Sequence, residues 1–310
     1  MTTNINSEQI KILRHKTGAG IMDCKKALLE NNGDIDIAVD WLRKKGIASA
    51  EKKATRVASE GLVGIVNRGN LSCLIEVNSE TDFVSKNTDF QNFVNQLLHI
   101  AIKSKTTLKD FSHLPFNDTQ TVEDSLKNIV AKIGENIVIR RLEYLECHEK
   151  NFSYGFYIHN KVSDNLGKIG CIVLASTTLT NKENDEFSKK IAMHVAAAKP
   201  LAIDESNLDK SLISKEREIF KEQLSSTNKP QQILDKIIDG KVKKYLSEVT
   251  LLNQAWIMEP SINIKKVIDD YNKTNNENFN VMDFSLFVLG EGVEVSEKNF
   301  KDEVEAQIKQ

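Results

Sequence analysis

The spacing of the apolar residues changes at Glu60, and that change excludes both an all-helical and an all-strand chain. From Ser7 to Ala54 apolar residues recur at helical spacing. From Gly61 the period becomes two: Leu62-Val63-Gly64-Ile65-Val66, a turn at Asn67-Arg68-Gly69-Asn70, then Leu71, Cys73, Ile75 and Val77 on one face. A period of two marks strands with one side against a core, so this stretch reads as a β-hairpin. Helical spacing returns at Phe90, Phe93, Val94, Leu97, Leu98, Ala101 and Ile102, a stripe able to cover the hairpin's apolar face. A further helix (Leu126, Ile129, Val130, Ile133) ending at Gly134 and a strand from Ile137 to Tyr144 complete an α+β layer.

The leading 54 residues divide into short helices. Ser7 is the expected N-cap of the first, which stops at Thr17-Gly18-Ala19-Gly20. The second runs from about Asp23 to Asn31-Asn32-Gly33, residues that tolerate a left-handed cap. Asp34 caps the third, with Ile37, Ala38, Trp41 and Leu42 on its stripe. Lys44-Lys45-Gly46 and Ala48 to Lys53 read as a solvated helical linker, with a domain boundary near Ala54.

The hairpin-then-helix pattern repeats. Tyr154 to Ile158 and Ile169 to Leu174 form a second hairpin, and Phe187, Ile191, His194, Val195 and Ala198 the helix stripe after it. Residues 200–250 leave this pattern for two helices broken at Ser226-Thr227-Asn228-Lys229-Pro230, an antiparallel helical hairpin. Trp256 to Pro260 re-enters the core, Ile264 to Tyr271 is helical, Phe279 to Val288 is a strand, and Glu297 to Gln310 is a final helix. The expected organisation is α+β: a helical domain (1–54), one core subdomain (55–145), a related one (146–199 with 251–289), the inserted hairpin (200–250) and a C-terminal module (290–310).

Charge and composition narrow the function classes. Lys and Arg number 42 against 44 Asp and Glu, a net charge of −2, so there is no basic field for direct nucleic-acid binding. Cys24, Cys73, Cys147 and Cys171 lie far apart, and six His are dispersed, so no zinc site, disulfide framework or other metal site is expected. No G-x-S-x-G, G-x-x-x-x-G-K-[ST] or G-x-G-x-x-G occurs, which leaves no cofactor and no catalytic constellation; the chain does not read as an enzyme. Thr17-Gly18-Ala19-Gly20 follows a helix and lacks the Lys-Ser pair of a phosphate loop, so it reads as a turn. No signal peptide or membrane-length apolar run is present, and the chain reads as cytoplasmic.

Glu76-Val77-Asn78-Ser79-Glu80-Thr81-Asp82-Phe83-Val84 places an aromatic beside an acidic residue where strand pattern gives way to helix, in polar surroundings. Two readings stay open from residue types alone. Asp82 caps a helix and Phe83 enters the core, or the pair forms a tip that touches another surface. Ile21 and Met22, after the glycine turn, are either bundle core or an apolar docking patch. His194 on an apolar helix face reads as a core residue, and His159 at a strand end suits either role.

Two motifs then carry a family resemblance. Thr17-Gly18-Ala19-Gly20-Ile21-Met22-Asp23-Cys24-Lys25-Lys26-Ala27-Leu28 and Glu76 to Val84 resemble the signatures of bacterial elongation factor Ts, the guanine-nucleotide exchange factor for the GTPase elongation factor Tu. Lys132-Ile133-Gly134-Glu135-Asn136, Ile191 to Pro200, Met258-Glu259-Pro260 and Gly290-Glu291-Gly292 extend the likeness over essentially the whole chain. The resemblance implies a UBA-like N-terminal domain, two related core subdomains, an inserted hairpin that can mediate homodimerisation, and a short C-terminal helical module. It also implies that Thr81, Asp82, Phe83 and Val84 intrude beside the nucleotide of elongation factor Tu and dislodge its Mg²⁺. Leu13, Ile21 and Met22 match the surface that docks the partner's G domain, and His159 matches a histidine reaching another of its domains. Ile21 stands where the family commonly has Met, and Ser85 where it has Ala. The alternative function is a UBA-like adaptor that only tethers partner proteins through residues 1–54.

Overall fold

The computed structural model describes residues 5–224 and 230–294. It is a mixed α and β fold whose contacts gather into two units. One comprises Met1–Gly64, Ile75–Leu142 and Val288–Gln310, the other Ile65–Leu74 and Glu143–Phe287.

The chain opens with α1 (Ser7–Thr17), α2 (Ile21–Glu30) and α3 (Ile35–Lys53). The cap of α1 is Asn6 rather than Ser7: Gln9 N donates to Asn6 Oδ1 at 2.8 Å while Asn6 N donates to Gln9 Oε1 at 3.2 Å. A reciprocal box of this kind satisfies two backbone donors that the first turn leaves over, which a serine one place later does not. Leu13, Cys24, Ala27, Leu28, Ala38 and Leu42 make the bundle core. The stretch expected to be a solvated helical linker is helical but continuous with α3, forming its second half to Lys53. Ala50 on it is buried, and α3 lies against α6 (Val122–Ile133). Residues 48–53 are good helix formers, and an extra buried contact is reason enough for the helix to continue.

The first hairpin is β1 (Glu60–Arg68) and β2 (Leu71–Ser79), followed by a 3₁₀ turn (Asp82–Lys86), α4 (Thr88–Ser104), the single turn α5 (Leu108–Phe111), α6 and β3 (Ile137–Glu146). All seven residues of the α4 stripe are buried as the spacing predicts. The sheet order is β3-β2-β1-β5, where β5 is only Leu166–Gly167. In the second unit β4 (Phe152–His159) pairs antiparallel with β6 (Ile169–Ser176), and the register runs from Phe152 opposite Ser176 to His159 opposite Ile169. α7 (Lys182–Ala198) packs on both strands. The sheet order there is β4-β6-β9.

α8 (Lys210–Leu224) and α9 (Gln231–Val249) pack on each other as the inserted hairpin. Its base is closed by Leu201 N donating to Val249 O at 2.8 Å and Leu251 N to Ala202 O at 2.9 Å. The expected break at 226–229 lies outside the described residues, as does the expected helix 297–310. The ribbon β7 (Ala255–Trp256) and β8 (Glu259–Asn263), then α10 (Ile264–Asn275) and β9 (Asn280–Val288), follow. Of the stretch Trp256 to Pro260, expected to re-enter the core, Trp256 alone is buried, and Ile257 and Met258 on the connection of the ribbon are exposed. Among the described residues no helix is long and apolar enough to cross a membrane.

Candidate functional site

β2 can lie close to β1 because Gly61 has no side chain. Its φ is +124°, and a Cβ there would stand 2.1 Å from Val77 O. The strand then delivers Glu80 and Thr81 to residues just ahead of β3. Asn136 N donates to Glu80 Oε1 at 2.6 Å, with Arg56 Nη1 also 3.4 Å from that oxygen. Glu135 grips Thr81 with both oxygens, accepting from Thr81 N at 2.9 Å and from its hydroxyl at 2.6 Å. Bonds from charged acceptors are roughly twice as strong as neutral ones, so the entry to the turn is firmly held.

The far side is braced as well. Ser85 Oγ donates to Asp82 O at 2.6 Å, Gln91 Nε2 donates to Ser85 O at 2.9 Å, and Asn87 caps α4. Val84 is 4% exposed and Ser85 3%, so one side of the 3₁₀ turn is seated in the core. The opposite side carries Phe83, 76% exposed, and Asp82, also exposed and without a side-chain hydrogen bond or ion pair among the described residues. Of the two readings left open above, the structure excludes a core role for Phe83. Helix α4 is capped by Asn87 instead of Asp82.

Met22 (74% exposed) and Ile21 (54%) open α2, beyond Gly20, whose lack of a side chain leaves the helix start uncapped. Both therefore face outward. Leu13, expected on the same docking surface, is 0% exposed. It is the buried residue of α1 and packs in the bundle core with Cys24, Ala27, Leu28, Ala38 and Leu42, so its side chain cannot itself meet a partner. His159 ends β4, exposed, with Nδ1 3.0 Å from the Tyr157 hydroxyl oxygen.

His194 is the core residue its helix face indicates. Gln254 Nε2 donates to Ala198 O at 3.2 Å and to Glu248 O at 2.7 Å, which turns its Oε1 towards His194 Nε2 at 2.9 Å. The histidine must then donate from Nε2, and Ile257 N donates to its Nδ1 at 3.3 Å. Burial pushes its pKa down, with the Gln254 bond working the other way, and the neutral ring is the one this network accepts.

Glu135, Asn136 and Glu76 hold the tip's surroundings; they stand in motifs the sequence shows, but their partners are 54 to 214 residues away along the chain, and nothing local marks such pairs. Among the described residues no group of three or more His, Cys, Asp or Glu could hold a metal ion.

Residues 80–291 match the family model described as "Elongation factor TS". The chain is 44% identical to elongation factor Ts of Rickettsia africae over 306 residues, 98% of this chain and 97% of the relative. It is 41% identical to elongation factor Ts of Bartonella bacilliformis over 307 residues, 99% of both, and 41% identical to that of Sinorhizobium fredii over 306 residues, 98% of this chain and 99% of the relative.

Proposed function

The chain belongs to the elongation factor Ts family, and from that premise we propose that it is a guanine-nucleotide exchange factor, not an enzyme: it binds elongation factor Tu carrying GDP and speeds the loss of GDP. The observation that carries this reading is the exposed Phe83 beside an exposed Asp82 on a turn braced from both sides. A large aromatic that a chain keeps in water at fixed geometry is suited to wedge between packed elements of a partner.

The partner's Mg²⁺ demands near-octahedral oxygen ligation and bridges phosphates, so small shifts in its ligands or their water weaken it sharply. Phe83 supplies the shift and Asp82 adds a negative charge near the metal's surroundings. Lowering the barrier to release by about 4 kcal/mol accelerates it about a thousandfold. Ile21 and Met22 supply apolar docking area on the G domain, residues 1–54 acting as the UBA-like docking module, and His159 contacts a different domain. Residues 200–250 offer a second copy of the chain a surface for homodimerisation, supported by α8, in which no residue is buried.

Exchange by binding obeys linkage: the factor and GDP must each weaken the other's hold on elongation factor Tu by the same factor. Titration calorimetry of the protein into elongation factor Tu, with and without saturating Mg²⁺-GDP, tests this. Weaker binding when GDP is present is the expected result. Equal affinity in both would favour the tethering adaptor and overturn exchange.

A further inference from the structure

The strand that leads to the tip carries a second brace three residues before its end at Ser79. Glu76 on β2 has a fully buried carboxylate. It accepts from Arg140 Nη1 at 3.0 Å, Arg141 Nε at 2.5 Å and Gly290 N at 2.9 Å. Both arginines then reach past it. Arg140 Nη2 donates to the Glu291 carbonyl, and Arg141 Nη2 to the Val288 carbonyl at 2.9 Å. Gly290 has φ +72°, and a Cβ there would stand 2.4 Å from Ser59 O, so the segment lies against the chain just before β1 in a conformation that suits glycine. Burial pushes the Glu76 carboxyl up, but the Gly290 N–H and the two guanidinium groups outweigh it and hold it below the ordinary range.

β2 and β3 are thus stapled twice. Glu135 and Asn136 hold Thr81 and Glu80 just beyond the strand, and Glu76 within it draws Arg140, Arg141 and residues 288–291 together. A buried carboxylate with two guanidinium groups is no bargain for stability, since apolar side chains of similar volume often do as well. Its distinctive property is geometric: forked donors and a two-oxygen acceptor accept one alignment of three chain segments and no neighbouring register.

We propose that Glu76 is a positioning residue for exchange, making residues 288–291 part of the tip's support, so that displacement of either is passed to the other along β2. The inference rests on reading Thr81–Val84 as the exchange element.

Two measurements on the full-length protein test it: the GDP release rate from elongation factor Tu at saturating protein beside the affinity for nucleotide-free elongation factor Tu, and amide hydrogen exchange of the free protein. Glu76→Gln, which keeps the shape and removes the charge, is expected to lower the saturating release rate about tenfold while affinity stays within about threefold. Amides of residues 81–86 and 288–292 should lose protection together, with the bundle core unchanged. Arg141→Lys keeps the charge but cannot span both Glu76 and the Val288 carbonyl; it should give the same pattern more weakly, and it decides the matter if Glu76→Gln does not fold. An unchanged release rate, or loss of protection at 288–292 alone, overturns the proposal. Phe83→Ala separates the two readings: it should slow release with protection intact in both segments, so a harmless Phe83→Ala sinks the tip reading, whereas a harmful one beside a harmless Glu76→Gln sinks only the Glu76 link.

Discussion

Phe83 and the Ile21–Met22 pair are all large apolar residues left in water, yet the chain presents them in opposite ways. Phe83 stands on a turn whose entry is gripped by Glu135, whose exit is tied by Ser85 and Gln91, and whose underside is anchored by Val84. Ile21 and Met22 open a helix whose cap residue, Gly20, offers no side chain. A braced aromatic can transmit force to what it touches, whereas flexible aliphatic side chains, Met above all, adapt to a surface and contribute area. On the proposed exchange function, the difference suits the tip to displacement and the bundle to adhesion.

The largest effect should come from Leu13, in the core of the bundle that presents Ile21 and Met22. Leu13→Ala opens a cavity in that core and should cost about 2–5 kcal/mol of stability, measured by denaturant unfolding. Met22→Ala should change stability by no more than about 0.5 kcal/mol, since its side chain is exposed. Equal losses in the two would erase the distinction between core and patch.

Next is Phe83→Ala, expected to slow saturated GDP release about 10- to 100-fold, or roughly 1.4–2.7 kcal/mol, with a smaller loss of affinity. The joint change Ile21→Ala with Met22→Ala should do the reverse, weakening affinity by about 1–2 kcal/mol while the saturated rate holds. If the two variants lose rate and affinity in the same proportion, displacement and adhesion are not separate jobs. Loosening the brace by Glu135→Gln should fall between, about a fivefold loss of rate, because a neutral acceptor holds Thr81 less strongly than a charged one.

How much of this the sequence discloses depends on the range of the interaction. The change of period at Glu60 announces the hairpin, and the α4 stripe announces the helix over it, because both are set by neighbours within a few residues. The cap of α1 was local too: Gln9 three residues after Asn6 is the sign of a capping box, and Ser7 draws attention from it. β5, only Leu166–Gly167, is too short to carry a period. Phe83 was undecidable by composition because a polar-flanked Phe is buried or exposed according to what lies across the fold, and the Glu135 that fixes the turn is 54 residues from Thr81. Leu13 is matched to a docking surface by resemblance alone, and only the fold shows that its side chain is buried in the bundle.

The smallest expected effect concerns His194, a group the fold encloses. His194 has an ordinary value of 6.5, and burial depresses it. A depressed group contributes its stability in full above the unfolded value, and that contribution is lost as the pH falls through the lower folded value. Acidification from neutral to about pH 5 should therefore reduce protection of the Ile257 amide, measured by hydrogen exchange. Protection unchanged over that interval would mean the ring is not confined to its neutral form.

The central claim is that the exposed tip does the exchanging, and stopped-flow release of fluorescent GDP from elongation factor Tu tests it most directly. The account predicts that the wild-type protein accelerates release and that Phe83→Ala at saturating concentration loses most of the acceleration. Release that the wild-type protein leaves unchanged, or that Phe83→Ala accelerates as well as wild type does, would contradict it.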